Sequence, residues 1–135
     1  MSDDPLDQLF VTDEEVIEDS RALLFKMVSP FAQIKSGSGQ VDYKEAADAL
    51  NAKQKILIYL LCRLAIALKN GANAADPVLP RDIELATDLP GGTVRPRVKM
   101  LLDDRIVTRT DAGYAVQTGG LRRAFKELEA VLPKA

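Results

Sequence analysis

The sequence predicts an α+β fold, mainly α: one strongly apolar central helix, shorter helices around it, and two short β-hairpins. Three observations carry this. Apolar residues recur at near-helical spacing over residues 16–28, 52–69, 80–89, 93–104 and 121–132, most densely in the second of these stretches. Pairs of β-capable segments meet at Ser36-Gly37-Ser38-Gly39 and at Asp111-Ala112-Gly113, where glycine supplies the positive φ that a tight turn needs. A chain of 135 residues, 47% hydrophobic and 28% charged, is long enough to bury one core without disulfides or a structural metal.

In chain order, residues 1–12 (MSDDPLDQLFVT) are acidic and polar and predict a disordered leader. Thr12 with Glu15 three residues on forms a capping-box signal for a helix that carries Val16, Ile17, Leu23, Leu24, Met27 and Val28 and stops before Pro30. Residues 31–43 then read as a β-hairpin, the alternative being a Gly/Ser linker. This gives a leader over 1–12, an extension of N-terminal helix and short β-hairpin over 13–50, and a main unit over 51–132 ending in a C-terminal helix. Asn51 and Gln54 make a second capping signal, opening the helix 52–69, whose residues Leu57, Leu60, Leu61 and Leu64 should be central in the core. Asn70-Gly71 ends it. After a loop over 72–79, Pro80 opens a short helix in which Ile83, Leu85, Ala86 and Leu89 are expected to face inward. Leu89-Pro90-Gly91-Gly92 is a turn. Thr93 is expected to cap the next helix, with Val94, Val98, Leu101 and Leu102 on its apolar side. Strands are expected at 106–110 and 114–117, and a helix at 121–132.

Composition narrows the chemistry. The chain has no histidine, which removes His-based acid/base work, His-dependent triads and the commonest metal ligand. Its single cysteine, Cys62, cannot form an intramolecular disulfide and suits a reducing compartment; it reads as a packing thiol. The neighbouring carboxylates Glu14/Glu15 and Asp103/Asp104 point about 100° apart on a helix and do not converge on one atom. Neither GxxxxGK[ST], CxxC nor HExxH is present. No enzyme, metal or cofactor is expected. The first residues lack a basic and an apolar signal region, and the apolar run Ile56 to Leu68, interrupted by Arg63, is too short for a membrane span, so a cytoplasmic location is expected. Arg63 is expected to snorkel or to pair with an acid such as Asp48, an interface role being the alternative. Net charge is −2, unevenly spread: residues 1–20 hold eight acids and no base, leaving 18 bases and 12 acids in residues 21–135.

Residues 79–116, LPRDIELATDLPGGTVRPRVKMLLDDRIVTRTDAGYAV, resemble the winged helix-turn-helix superfamily of DNA-binding proteins, as found among prokaryotic and archaeal transcription regulators. Ile83, Ala86 and Leu89 match the packing positions of the first motif helix and turn. Thr93-Val94, Val98, Leu101 and Ile106-Val107 match the run of the second helix and of the strand leading into the wing. Helices 52–69 and 121–132 stand as the flanking helices. The resemblance implies a winged helix-turn-helix core and a transcriptional regulator or accessory factor that reads double-stranded DNA with helix 93–104 and wing 106–117. It implies a homodimer paired through helix 13–28 or 121–132.

Two departures stand out. The usual glycine after the second motif helix is Arg105, which requires either a left-handed residue with a Cβ or a different turn. Pro96 falls early in the helix, at its third position if Thr93 is the cap, where no internal N–H bond is lost. A helix that reads DNA needs cations and donors on its exposed side, since phosphates dominate affinity and base edges supply specificity. Thr93, Arg95, Arg97 and Lys99 are the candidates: Arg95 and Arg97 for guanine, Lys99 for phosphate, and Arg109 of the wing for an adjacent backbone or minor groove. The same scaffold also serves as a protein-interaction module without DNA binding, in which case the acidic leader docks on a partner or folds back over the basic side.

Overall fold

Asn51 sets the start of the longest helix. Its side chain accepts from the Gln54 N–H at 2.8 Å while the Gln54 side chain accepts from the Asn51 N–H at 3.0 Å, so two orphaned donors are satisfied reciprocally. A computed structural model, which describes residues 5–11 and 13–133 and of residues 13–17 the backbone only, places this helix, α2, at Ala52–Lys69. Gly71 ends it at φ +87°, with the Gly71 and Ala72 amides returning to Leu68 and Ala67. Along α2, Ile56, Leu57, Ile58, Leu60, Leu61, Cys62 and Leu64 are at most 1% exposed.

The elements around it are α1 (Asp13–Val28), β1 (Ala32–Ile34), β2 (Val41–Tyr43), α3 (Pro80–Thr87), α4 (Gly91–Asp103), β3 (Thr108–Thr110), β4 (Gly113–Ala115) and α5 (Leu121–Leu128). The described chain is thus mainly helical, with two separate two-stranded antiparallel sheets. Short 3-10 turns at Pro5–Leu9 and Glu45–Ala49 were not expected from the sequence. α2 packs against α1, α3, α4 and α5, and one continuous apolar cluster runs from Leu24, Met27 and Phe31 through α2 to Ile83, Val98 and Leu128.

α1 contributes Leu24, Met27 and Val28 to that core, and Arg21 donates to the Leu68 carbonyl at 2.6 Å. The Thr12–Glu15 cap and the side chains of Val16 and Ile17 lie outside the described residues. Residues 31–43 form a hairpin rather than a linker, with Ala32 opposite Tyr43 and Ile34 opposite Val41. Gly39 closes its turn at φ +74°.

α3 opens at Pro80, and the Asp82 carboxylate accepts from the Leu79 N–H at 3.0 Å. Ile83 is buried and Ala86 and Leu89 are half-buried, but Leu85 is 78% exposed rather than inward-facing. Ile83 and Thr87 set the inner side of this short helix, and Leu85 sits about 200° round from both. Asp88, left-handed at φ +56°, ends it.

α4 begins at Gly91, after Pro90, so Thr93 is not its cap and Pro96 is the sixth helical residue rather than the third. Pro96 therefore does cost one helical bond, the one its N–H would have given the Gly92 carbonyl. The helix runs on to Asp103 because Val94, Val98 and Leu101, each at most 1% exposed, bury its inner side. At its end Arg105 takes the left-handed region at φ +61°. The Arg105 N–H bonds the Leu102 carbonyl and the Ile106 N–H bonds the Leu101 carbonyl, both at 3.0 Å, which is the Schellman arrangement.

That closure makes β3 shorter than the sequence suggests. Ile106 and Val107 both direct their amides to the Leu101 carbonyl, and pairing starts only at Thr108, opposite Ala115. Val78, just ahead of α3, adds a one-residue third strand: Val78 and Tyr114 exchange two bonds of 2.8 Å. Gly113, at φ +130°, permits this, since a Cβ there would run into the Val78 carbonyl. The last helix is also shorter than expected: α5 ends at Leu128 and tightens into a 3-10 turn, Glu129–Val131, before Pro133.

Candidate functional site

The surface made by α3, α4 and the β3–β4 hairpin holds the residues singled out from sequence. Burial of Val94, Val98 and Leu101 fixes which way α4 turns, and the remaining residues face outward. Arg95, Arg97 and Lys99 are exposed and Thr93 is half-buried. Residues on a helix advance about 100° each, so Arg95 and Lys99, four apart, share one flank of α4. Arg97 lies on the other flank with Thr93 and Met100, and its guanidinium reaches the Met100 sulfur at 3.7 Å. Arg95 and Arg97 are thus not neighbours; they edge the exposed side of α4 from opposite flanks. Pro96 sits between them, exposed.

Arg109 is held by the hairpin. It pairs across the strands with Tyr114, and its guanidinium lies over the tyrosine ring, 5.9 Å from the centroid. Because Tyr114 is bonded to Val78, the position of Arg109 is tied to the start of α3. Among the described residues none of Arg95, Arg97, Lys99 and Arg109 makes an ion pair. Arg81, exposed in the first turn of α3, likewise has none among the described residues; its place just inside a helix start is the signal the sequence carries for it.

Of the acids near this surface, Asp111 at the hairpin tip is exposed and lines one hollow with Arg109, whereas Asp104 is engaged. Asp104 takes Lys53 at 2.8 Å, and the same ammonium reaches Glu127 at 3.4 Å, joining α2, the end of α4 and α5. Burial lowers the Lys53 pKa, but hydrogen bonding to Asp104 and the charges of Glu127 and Asp104 outweigh it and leave the value raised. Asp103 is exposed at the far end of α4. Leu85 of α3 and Met100 of α4, 42% exposed, are exposed apolar residues, and Leu85 lines a shallow hollow with Tyr59 and Arg63 of α2.

Burial pushes the Cys62 thiol up to about 12, so its thiolate is absent near neutrality. Tyr43 and Tyr59 are likewise raised, first of all by burial. Among the described residues no group of three or more Cys, Asp or Glu is placed to hold a metal, and no helix is long and apolar enough to cross a membrane. No family model matches the chain, and no curated protein or solved structure was found to be similar to it.

Proposed function

We propose that this protein is a winged helix-turn-helix DNA-binding protein, a transcriptional regulator or accessory factor of a reducing, cytoplasmic compartment. In this reading α3 and α4 are the motif helices, α4 lies in the major groove, and the β3–β4 hairpin is the wing. The observation that carries it is a set of exposed cations that have no ion-pair partner among the described residues: Arg95 and Lys99 on one flank of α4, Arg97 on the other, and Arg109 on the hairpin. A helix lying in a groove meets a phosphate strand on each side, so cations on opposite flanks suit it, with one flank free to turn toward base edges. Arg97, midway along α4 and one turn on from Thr93, is assigned to a guanine edge, and Lys99 and Arg109 to phosphates.

A homodimer would double the contacts and raise affinity and selectivity together. Of the two helices expected to join copies, α1 is the better suited. It carries Phe25 at 73% exposure beside an apolar groove, whereas α5 shows solvent Arg122, Arg123 and Lys126.

The test is enrichment from a randomised duplex pool followed by titration of the winning duplex between 50 and 200 mM salt. A recurring motif and a steep fall of affinity with salt support the reading. A second reading, a winged-helix protein-interaction module, is favoured by the exposed apolar residues Leu85 on α3 and Met100 on α4. Its signature is no duplex binding at low salt together with a protein complex that Leu85→Asp abolishes.

A further inference from the structure

Arg63 is the one charge inside the apolar run of α2, and the α3–α4 surface makes no use of it. Its Nε is buried without a hydrogen-bond partner, and no carboxylate lies within 4.0 Å of it among the described residues, the expected Asp48 pairing included. On one side of it stand Tyr59 and Asp82, but the Asp82 carboxylate already accepts from the Leu79 N–H. On the other side is a hollow of about 470 Å³ that Arg63 lines with Lys35, Lys69 and the Ser36-Gly37-Ser38-Gly39 turn. Arg63 as a whole is half-buried, but its Nε–H is a buried donor, costly to leave unmet, which makes an absent acceptor the natural explanation.

The lining of the hollow says what that acceptor is. No acid contributes to it, and its floor is apolar, formed by Ile34, Ala65 and Ile66. Among the described residues, Lys35 has one carboxylate, Asp42, at a loose 3.8 Å, and Lys69 has none. In the turn, the Gly39 N–H is taken by the Lys35 carbonyl at 2.8 Å, while the amides of Ser36, Gly37 and Ser38 meet no acceptor among the described residues. A water molecule would satisfy Nε but leave the cations uncompensated. A multiply charged anion answers both.

We propose that this hollow is a binding site for a small phosphorylated anion. Arg63, Lys35 and Lys69 act as counter-charges, the Ser36 and Ser38 hydroxyls and free turn amides as donors, and the apolar floor receives the organic part of the ligand. The site is independent of the DNA reading, and its test contains no DNA. Amide resonances of the full chain are followed by NMR as inorganic phosphate, and separately pyrophosphate, replaces chloride at constant ionic strength. Saturable shifts centred on Gly37, Gly39 and Asn70, tighter for pyrophosphate, are expected. Arg63→Met, which keeps the buried stem and removes the orphaned donor, should weaken pyrophosphate binding roughly tenfold or more without lowering the thermal midpoint. Lys69→Met, at an exposed position, should weaken binding too and guards against a folding defect in the first variant. Shifts that never saturate, or an affinity unchanged in both variants, would overturn the proposal.

Discussion

Replacing Arg105 by glycine should stabilise the protein. Arg105 sits at φ +61° because the Schellman closure of α4 requires a left-handed residue there. For a residue with a Cβ that conformation costs about 1–2 kcal/mol. Glycine removes the strain but enlarges the freedom of the unfolded chain, a loss of about 0.5–1 kcal/mol. Among the described residues the Arg105 side chain makes no ion pair, and the bond from Arg123 to the Arg105 carbonyl at 3.4 Å involves backbone that glycine keeps. The net gain is therefore about 0.5–1 kcal/mol. At about 2.1 cal/mol/K per residue, the 135 residues gain roughly 0.28 kcal/mol/K on unfolding, which makes the expected rise in Tm about 2–4 °C. Urea denaturation should show a higher midpoint at unchanged slope. Arg105→Ala separates strain from charge: it keeps the Cβ and should stay within about 0.5 kcal/mol of the parent. A glycine variant less stable than the alanine variant would refute the strain argument.

Leu101→Ala, at a solvent-free position where α4 meets α2, should cost about 2–5 kcal/mol in denaturant unfolding. Cys62 should react with an aromatic disulfide reagent only as fast as the protein opens, because burial holds its thiol at about 12 against an ordinary value near 8.5. A raised folded pKa means that folding favours the protonated thiol, so this contribution is complete below about pH 8.5 and is lost as pH climbs through about 12. Raised Lys53 adds to the same alkaline loss, and an alkaline stability profile that stayed flat to pH 12 would contradict both. Deleting residues 2–10, which carry acids and no base, should leave the thermal midpoint in place and strengthen non-specific duplex binding at low salt. Weaker binding after deletion would show that the leader does not screen the basic surface.

Local signals in the sequence were read correctly where a few neighbouring residues decide the outcome. Asn51 with Gln54, Asn70-Gly71 and Pro80 delimit their helices as expected, and the Ser-Gly turn closes a hairpin. What failed depended on which side of a short helix the core takes and on where a helix begins and closes. Leu85 looked interior on spacing alone, but Ile83 and Thr87 take the inner side of so short a helix. Thr93 looked like a cap, yet Pro90 at the preceding turn starts α4 earlier and moves Pro96 inward. β3 is short because Ile106 and Val107 are committed to closing α4. For the candidate site, the residue types on α4 were legible, but their division between two flanks follows from the buried stripe. The grouping of Lys35, Arg63 and Lys69 was not legible at all, since only the packing of the hairpin turn against Ile66 brings them to one hollow.

The central claim, that α4 reads duplex DNA while the hairpin holds its backbone, is tested most directly by comparing Arg97→Ala with Arg109→Ala in fluorescence anisotropy. Each variant is titrated with the enriched duplex and with a scrambled one across a salt series. Arg97→Ala should narrow the difference between the two duplexes by about 1–3 kcal/mol, the discrimination carried by one arginine–guanine contact. Arg109→Ala should weaken both duplexes alike and reduce the log–log salt slope by about 0.9, the loss of one phosphate contact. If neither substitution alters affinity, discrimination or slope, the surface built by α3, α4 and the hairpin does not bind DNA.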